Sequence, residues 1–438
     1  MADGEWKKAH PGIPQDWRQI GEGGNAFVWK SGDVAIKRLK ASVSSEARTR
    51  FQRECFLMAE LRERHDLKIA PVIEVRHREG ADEIVMRALD GSLDDVVDRF
   101  RGEPTKAASS LLGVVETLAA LSADERSIHH RDVKPSNILF QGDERDLYLG
   151  DFGCAYLAGD DRITPDQRAL GAWAFRPPEY SAGPVERVDE KGDVFSLAKV
   201  FWSMINGSPR TTFPGPVWFL PEYDLALIYP GQPKTAEAMY IVAKCCSIQA
   251  DRRPSLNDLK VMLEALISDE PSDFAMGAGA LKREQELAIE YAQRQAVARP
   301  FVMRLVGDFQ RALGQLHWAN PDSVLLGLWS TEWNRLERRE EALIEQVVMH
   351  ESDAPVMNFH HMQQQLLTRF YPEGMGGPLR FYASFGPMHQ PHLSPRLTVE
   401  ALDSGVVARV EGLSEGPMTS TYTQTTIPDF LLHAIEAM

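Results

Sequence analysis

Residues 129–140 read His129-His130-Arg131-Asp132-Val133-Lys134-Pro135-Ser136-Asn137-Ile138-Leu139-Phe140, so a carboxylate, an ammonium and a carboxamide fall within six residues. Asp132 can accept or orient the proton of a hydroxyl. Lys134 can neutralise a phosphoryl group in transfer, and the carboxamide oxygen of Asn137 suits a hard cation such as Mg2+. A short apolar strand, Leu147 to Leu149, leads into Asp151-Phe152-Gly153, where Asp151 can be a second cation ligand and Gly153 lets the chain turn away. Upstream, Gly21, Gly23 and Gly24 lie between two strand-like stretches and allow backbone to approach a polyphosphate closely. Val34-Ala35-Ile36-Lys37 follows, with Lys37 placed to send its ammonium under that loop. A buried lysine needs a counter-charge, and Glu54 on the next helical segment can supply it.

Each of these residues has a plain alternative when read singly. The glycine loop is a tight turn in most proteins, Lys37 an exposed strand lysine, Asp132 a surface acid, Asn137 a turn former and Asp151 a helix cap. Their order along about 130 residues argues for one site.

The elements that must position them are legible in outline. Gln19 to Lys40 alternates glycine with short apolar runs, as an antiparallel sheet does. Ser45 to Arg64 is helical, with Phe51, Cys55, Met58 and Leu61 in one apolar stripe. Val72–His77 and Glu83–Arg87 read as strands, Ser92–Phe100 and Ala107–Ser122 as helices, Phe195–Asn206 as a buried helix, and Asp251–Ile267 as a last helix. The acidic stretch from Ser268 and Gly277-Ala278-Gly279 mark a linker. Beyond it, Leu281–Trp318 reads as one or two amphipathic helices and Trp333–His350 as another. Leu379–Phe385, Arg396–Leu402 and Gly405–Leu413 read as a β-meander, closed by a helix from Pro428.

Composition narrows the class. The 438 residues, 43% hydrophobic and 25% charged, are expected to fold into two to four domains with a substantial core. Lys and Arg total 48 against 63 Asp and Glu, a net charge of −15, which argues against a broad nucleic-acid surface. No uncharged run is long and apolar enough for a membrane span, and the start of the chain has no secretory pattern. Four cysteines without a C-x-x-C pair are expected to be reduced thiols, in the cytoplasm.

Taken together, the glycine loop, Val-Ala-Ile-Lys, the helix glutamate, His-Arg-Asp with Lys134 and Asn137, and Asp-Phe-Gly resemble the eukaryotic-like serine/threonine protein kinase family. Pro177-Pro178-Glu179, Asp193 and Arg253 fall at further landmarks, Arg253 as the partner of that glutamate. The resemblance implies an α+β fold with a β-rich small lobe and a helical large lobe over residues 16–270. It leaves a 1–15 extension, a 271–280 linker and a separate α+β accessory domain at 281–438. It implies that Lys37 holds the ATP phosphates with Glu54 as partner, that Asp132 is the base, and that Asn137 and Asp151 hold Mg2+. Val28, Ala35 and Leu139 would sandwich the adenine, Met86 would stand as gatekeeper, and backbone groups of Arg87, Ala88 and Leu89 would read the adenine edge. His130, Phe152, Met58 and Val75 would stack as a spine. Arg131 would await a phosphate on the activation loop, where Thr164 is the only serine or threonine between Asp151 and Glu179.

There are departures from the family pattern. Ala26 replaces the third loop glycine, and Ala172 stands where serine/threonine kinases carry a threonine, which bears on acceptor choice. Ser92 and Ser136 stand where some members carry acids, so no strong preference for basic substrates is expected. The expectation is a Mg2+- and ATP-dependent kinase acting on a protein hydroxyl and phosphorylating itself; the alternatives are a nucleotide-binding scaffold without transfer and an enzyme acting on a small molecule. Within 281–438, His350, His360, His361, His389 and His392 match no zinc spacing, and Trp318, Trp329 and Trp333 suit helix packing. That domain is expected to bind a protein partner, regulate the kinase or present substrate.

Overall fold

The computed structural model describes residues 14, 16–23, 25–78, 80–157, 173–180, 188–208, 211–268, 278–319, 344, 354–361, 364–372, 379–387, 396–402, 405–411, 418–423 and 425–436. Gly24, Thr164, Ala172 and the expected helix Trp333–His350, apart from Ile344, lie outside the described residues. The chain divides into two compact units, one of Met1–Pro177 with Glu186–Ala288, the other of Pro178–Val185 with Ile289–Met438.

The first unit opens with β1 (Arg18–Glu22), β2 (Ala26–Ser31) and β3 (Val34–Leu39), followed by α1 (Ser45–Leu61), β4 (Val72–Arg78) and β5 (Ala81–Arg87). The strands form one antiparallel sheet in the order β1-β2-β3-β5-β4. Helix α1 starts where Ser44 Oγ accepts from Ala47 N at 3.2 Å, with Glu46 in the first turn facing the positive end of the helix dipole. Its buried stripe of Phe51, Glu54, Cys55, Met58 and Leu61 includes one carboxylate, and that carboxylate belongs to the site.

A small sheet of β6 (Gly91–Ser92), β7 (Ile138–Gln141) and β8 (Asp143–Leu149) flanks α2 (Pro104–Ser122), which begins with proline at its first position, where the missing N–H costs nothing. Helix α3 (Glu190–Asn206) is buried on all sides from Gly192 to Ile205, and Asp189 caps its start. It ends at Gly207, whose φ of 71° needs glycine and where a Cβ would lie 2.5 Å from Arg101 Cβ. Short α4 (Leu225–Ile228), α5 (Thr235–Cys245) and α6 (Leu256–Ile267) complete this helical layer.

Ser92–Phe100, expected as a helix, is two 3-10 turns, Leu93–Asp95 and Val97–Phe100. The spacing of Leu93, Val96, Val97 and Phe100 is helical and all four are buried, but Val96 at φ −131° breaks the ladder and Asp95 folds back onto Ser92 N at 2.8 Å. Helix α5 was not anticipated. Its Ala238, Ile241, Val242 and Cys245 are buried in a helical pattern, yet the segment carries no side-chain cap.

Helix α7 (Ala278–Ala319) is continuous over 42 residues and has Pro300 in its interior. In the second unit β9 (Ala354–His361), β10 (Gln364–Pro372), β11 (Leu379–Pro387), β12 (Arg396–Leu402), β13 (Gly405–Glu411) and β14 (Met418–Thr421) form a six-stranded antiparallel meander, closed by α8 (Thr426–Glu436). Alternation places Thr368, Phe370, Phe381, Ala383, Leu397 and Val399 on one buried face. Phe301 and Phe309 of α7 meet Phe370 and Phe381 of that face at ring separations of 6.0 and 5.6 Å. Three of these strands match the expectation; β9, β10 and β14 go beyond it, since their runs of Gln, His and Thr lack strict alternation. Trp318, expected to pack, is 87% exposed.

Candidate active site

Strand β3 alternates, so Ala35, Lys37 and Leu39 share one face while Ile36 and Arg38 take the other. Lys37 Nζ meets Glu54 Oε1 of α1 at 2.5 Å and Asp151 Oδ1 at 2.8 Å. Burial opposes a charge on Lys37, but Asp151 and Glu54 outweigh it and hold the ammonium's pKa well above the usual lysine range. Lys37 in turn holds the Asp151 carboxyl well below the usual range. Burial, aided by Asp151, raises Glu54 despite its lysine partner. Gly153 N also donates to Asp151 Oδ1, at 3.2 Å, and a Cβ on Gly153 would lie 3.1 Å from that oxygen and 3.3 Å from Glu54 Oε2.

The second cluster is built on the loop before β7. Asp132 Oδ2 accepts from Lys134 Nζ at 2.8 Å and from Asn137 Nδ2 at 2.9 Å, and Asn137 Nδ2 also donates to Asp132 O. With its nitrogen committed to Asp132, Asn137 keeps its amide oxygen as the group that can serve a cation. Asp151 is 48% exposed at its side chain, so an ion and a ligand phosphate can reach it from solvent. These two oxygen donors of different residues, with room for waters, fit Mg2+, which takes few protein ligands. Among the described residues no group of three or more His, Cys, Asp or Glu side chains forms a metal cage.

Two residues of this region hold left-handed backbone without being glycine, Arg131 at φ 65° and Asp151 at φ 56°. Such strain needs fixed surroundings. Buried Asp193 of α3 supplies them at Arg131, accepting from His130 N and Arg131 N at 2.8 Å each. The His130 ring donates from Nε2 to Gly150 O at 2.9 Å and accepts Asp132 N at Nδ1, and its edge meets Phe152 at 4.9 Å. One imidazole thereby ties the Asp132 loop to the strand end before Asp151. Met58 is buried in the same core, with Val75 half-buried against it.

Val28, Ala35 and Met86 lie on the same sheet as Lys37, and Leu139 lies on β7 of the small sheet. Val28 pairs with Lys37 across β2–β3, and Ala35 pairs with Met86 across β3–β5. Leu139 Cδ1 would lie 3.2 Å from a Cβ on Gly150, a close approach that glycine permits. The strand exit after Met86 is pinned by Arg87 N to Pro71 O and Ala88 N to Asp33 O, both 2.8 Å, and Lys30 Nζ donates to Leu89 O at 3.1 Å. In the loop, Gly23 N donates to Ala26 O at 2.9 Å, and Gly21 pairs with Val28.

A family model described as the protein kinase domain matches residues 15–262. The chain belongs to the protein kinase family. Serine/threonine-protein kinase PknH of Mycobacterium tuberculosis (strain H37Rv) is 30% identical over 285 residues, covering 61% of this chain and 44% of that protein. Serine/threonine-protein kinase PknD of the same organism is 32% identical over 202 residues, covering 44% of this chain and 29% of that protein. The chain thus spans less than half the length of these curated relatives. A solved kinase domain superposes with a TM-score of 0.45 at 15% identity, over 57% of this chain and 94% of that one.

Two kinase residues escaped the sequence reading. Lys199 lies inside the apolar run of α3, fully buried, and donates to Ala174 O at 2.7 Å and Phe213 O at 3.0 Å, so it ties Trp173–Phe175 to the helix. Its signal was a lone lysine among Phe195–Ile205. Arg176, one residue before Pro177-Pro178-Glu179, is lowered in pKa by burial while the charge of nearby Asp132 works the other way. Arg253 is buried and donates to Ser247 O and Lys191 O. Arg131 and Asp132 share one turn; the Thr164 to which Arg131 was to answer lies outside the described residues.

Proposed function

We propose that the chain is a Mg2+- and ATP-dependent protein serine/threonine kinase. The observation that carries this reading is the double convergence at the cleft: Lys37 on Glu54 and Asp151, and Lys134 with Asn137 on Asp132. Lys37 holds the α- and β-phosphates, while Val28, Ala35, Leu139 and Met86 enclose the adenine and backbone groups of Arg87, Ala88 and Leu89 read its edge. Gly21, Gly23 and Gly24 cover the phosphates. Asn137 and Asp151 hold Mg2+, which when bound offsets charge on the phosphate oxygens. Asp132 orients the acceptor hydroxyl and takes its proton as the oxygen bonds to the γ-phosphorus and the bond to the β,γ-bridging oxygen breaks, releasing ADP. Lys134 stabilises the charge on the transferring group.

Names of the relatives as serine/threonine kinases, with Lys134 beside the base, support a Ser/Thr acceptor. Phosphorylation of Thr164, paired with Arg131, serves as the activating modification, and residues 281–438 form an accessory domain that engages a protein partner. The test is transfer of labelled γ-phosphate from Mg-ATP to the purified protein and to generic protein acceptors, beside Asp132→Asn, followed by mass-spectrometric site mapping. Label on the parent, reduced by about 10²- to 10⁴-fold in the variant, is expected. Nucleotide binding without label on either protein or any acceptor overturns the reading in favour of a scaffold; transfer to small-molecule acceptors alone overturns the protein-substrate assignment.

A further inference from the structure

In the helical layer of the first unit, away from the nucleotide cleft, lies a cavity of about 310 Å³ walled by Trp218, Phe219, Met239 and Tyr240, with Asp224 and, from the first turns of α7, Gln285 on its lining. That volume is at the small end of ligand pockets and suits one extended side chain better than a nucleotide. The Trp218 and Phe219 rings stand nearly perpendicular, 5.9 Å apart at an interplanar angle of 89°. With Tyr240 they make three aromatic side chains on the lining. Among the described residues on the lining, Asp224 is the sole charged one, and no Lys, Arg or His is among them. One carboxylate oxygen is already used, since Asp224 Oδ1 accepts Ala226 N at 2.9 Å, and this bond holds the carboxylate in place.

Aromatic side chains with one fixed carboxylate and no basic group among the described lining residues suit a cation: aromatic rings attract positive charge through their quadrupoles, and a carboxylate pairs with it. The net charge of −15 adds a long-range field of the same sense. We propose that this cavity binds the guanidinium or ammonium side chain of a polypeptide partner, so that the partner is held by a basic residue remote from the nucleotide cleft. A polypeptide rather than a free amine is favoured because α4, which contributes Ala226 to the lining, also presents Leu227 at 62% exposure, an apolar contact for a flanking residue. The occupant also touches α7 through Gln285, which makes occupancy sensitive to the seating of that helix. Binding here does not depend on phosphoryl transfer.

The test uses the full chain and short capped peptides of the form apolar-Arg-apolar, with norleucine or citrulline in place of arginine as neutral controls and free spermidine as the small-cation arm. Saturable binding by ligand-observed NMR is expected for the arginine peptide, with at least tenfold weaker binding of both neutral peptides and of spermidine. Asp224→Asn, which keeps the hydrogen bond to Ala226 N, is expected to weaken the arginine peptide by about tenfold, the loss of one charge-assisted contact. Tyr240→Leu is expected to weaken it too, with an unchanged melting temperature as the folding control. Equal binding of neutral and basic peptides, or basic-peptide binding unchanged in both variants, overturns the proposal. Spermidine binding as tightly as the peptide overturns the polypeptide assignment.

Discussion

Asp132 and Asp151 are carboxylates at one cleft, yet different neighbours hold them. Asp151 faces Lys37, which depresses its pKa, whereas Asp132 shares one oxygen between Lys134 and Asn137. A carboxyl depressed on folding contributes stability in full above its unfolded value, near 3.9, and loses that contribution as pH falls through the folded value. In Lys37→Met the Asp151 carboxyl should therefore titrate at higher pH, closer to an ordinary aspartate, and the acid limb of stability should lose its Asp151 component. Carbon-13 NMR of the aspartate carboxyls over a pH series checks both. Cys154, next to Gly153, behaves in the opposite sense: burial, then Asp132 and Asp151, push its thiol up to about 11. At neutral pH its thiolate fraction falls on the order of 100-fold below that of an ordinary thiol, so alkylation by iodoacetamide should be slower by that factor than for a small-molecule thiol. Stopped-time mass spectrometry of the Cys154 peptide reads it.

At the scale of elements, α3 is the frame of the site. Its Asp193 carries the strained turn at Arg131, and its Lys199 carries Trp173–Phe175, so one buried helix holds both segments. Asp193→Ala removes the acceptor of the buried His130 N–H and of the part-buried Arg131 N–H, which costs about 2–4 kcal/mol. Calorimetry should show a melting transition lower by several degrees, and the steady-state rate should fall with it because Asp132, the proposed base, sits one residue beyond the turn. The elements themselves were unequally legible. Helix α1 and strand β3 announce themselves through alternation and a stripe, and so do the residues they place. The two 3-10 turns at Leu93–Phe100 do not, because their apolar spacing is that of a helix and only a local side-chain bond decides against it. Strand β9 pairs with β10 along its length, from His361 with Gln364 to Ala354 with Phe370, and β10 pairs in turn with β11 from Gln364 to Pro372, so both strands depend on ladder neighbours that no pattern within either discloses.

At the scale of the whole molecule, the compact unit that carries the kinase residues runs to Ala288, beyond the acidic stretch that marks a linker in the sequence. Glu284 of α7 is buried and receives Arg252 through Nε and Nη2 at 2.9 and 2.6 Å. The first turns of α7 are thereby fastened to the helical layer of the same unit. Because Arg252 remains about one-third exposed and can rehydrate, Glu284→Ala should cost about 1 kcal/mol. Hydrogen exchange should speed up over residues 278–288 and leave α3 untouched; equal protection in both proteins would dismiss the fastening. Among the described residues, no helix is long and apolar enough to cross a membrane.

Residue types at close spacing made the candidate site legible in advance, since the proposed phosphate loop, base and cation ligands each demand particular functional groups, and those groups sit in short runs of the chain. Distance along the chain hid the rest. That Lys37 engages Glu54 and Asp151 at once and that Arg252 reaches Glu284 are decided by packing between elements, where hydrophobic burial brings remote residues together and leaves their charges to find partners; the brace of Asp193 on the His130–Arg131 turn was legible through the family resemblance alone. The cavity beneath Trp218 and Tyr240 is of the same kind: its walls come from four separate stretches of chain, and only the folded layer makes them neighbours.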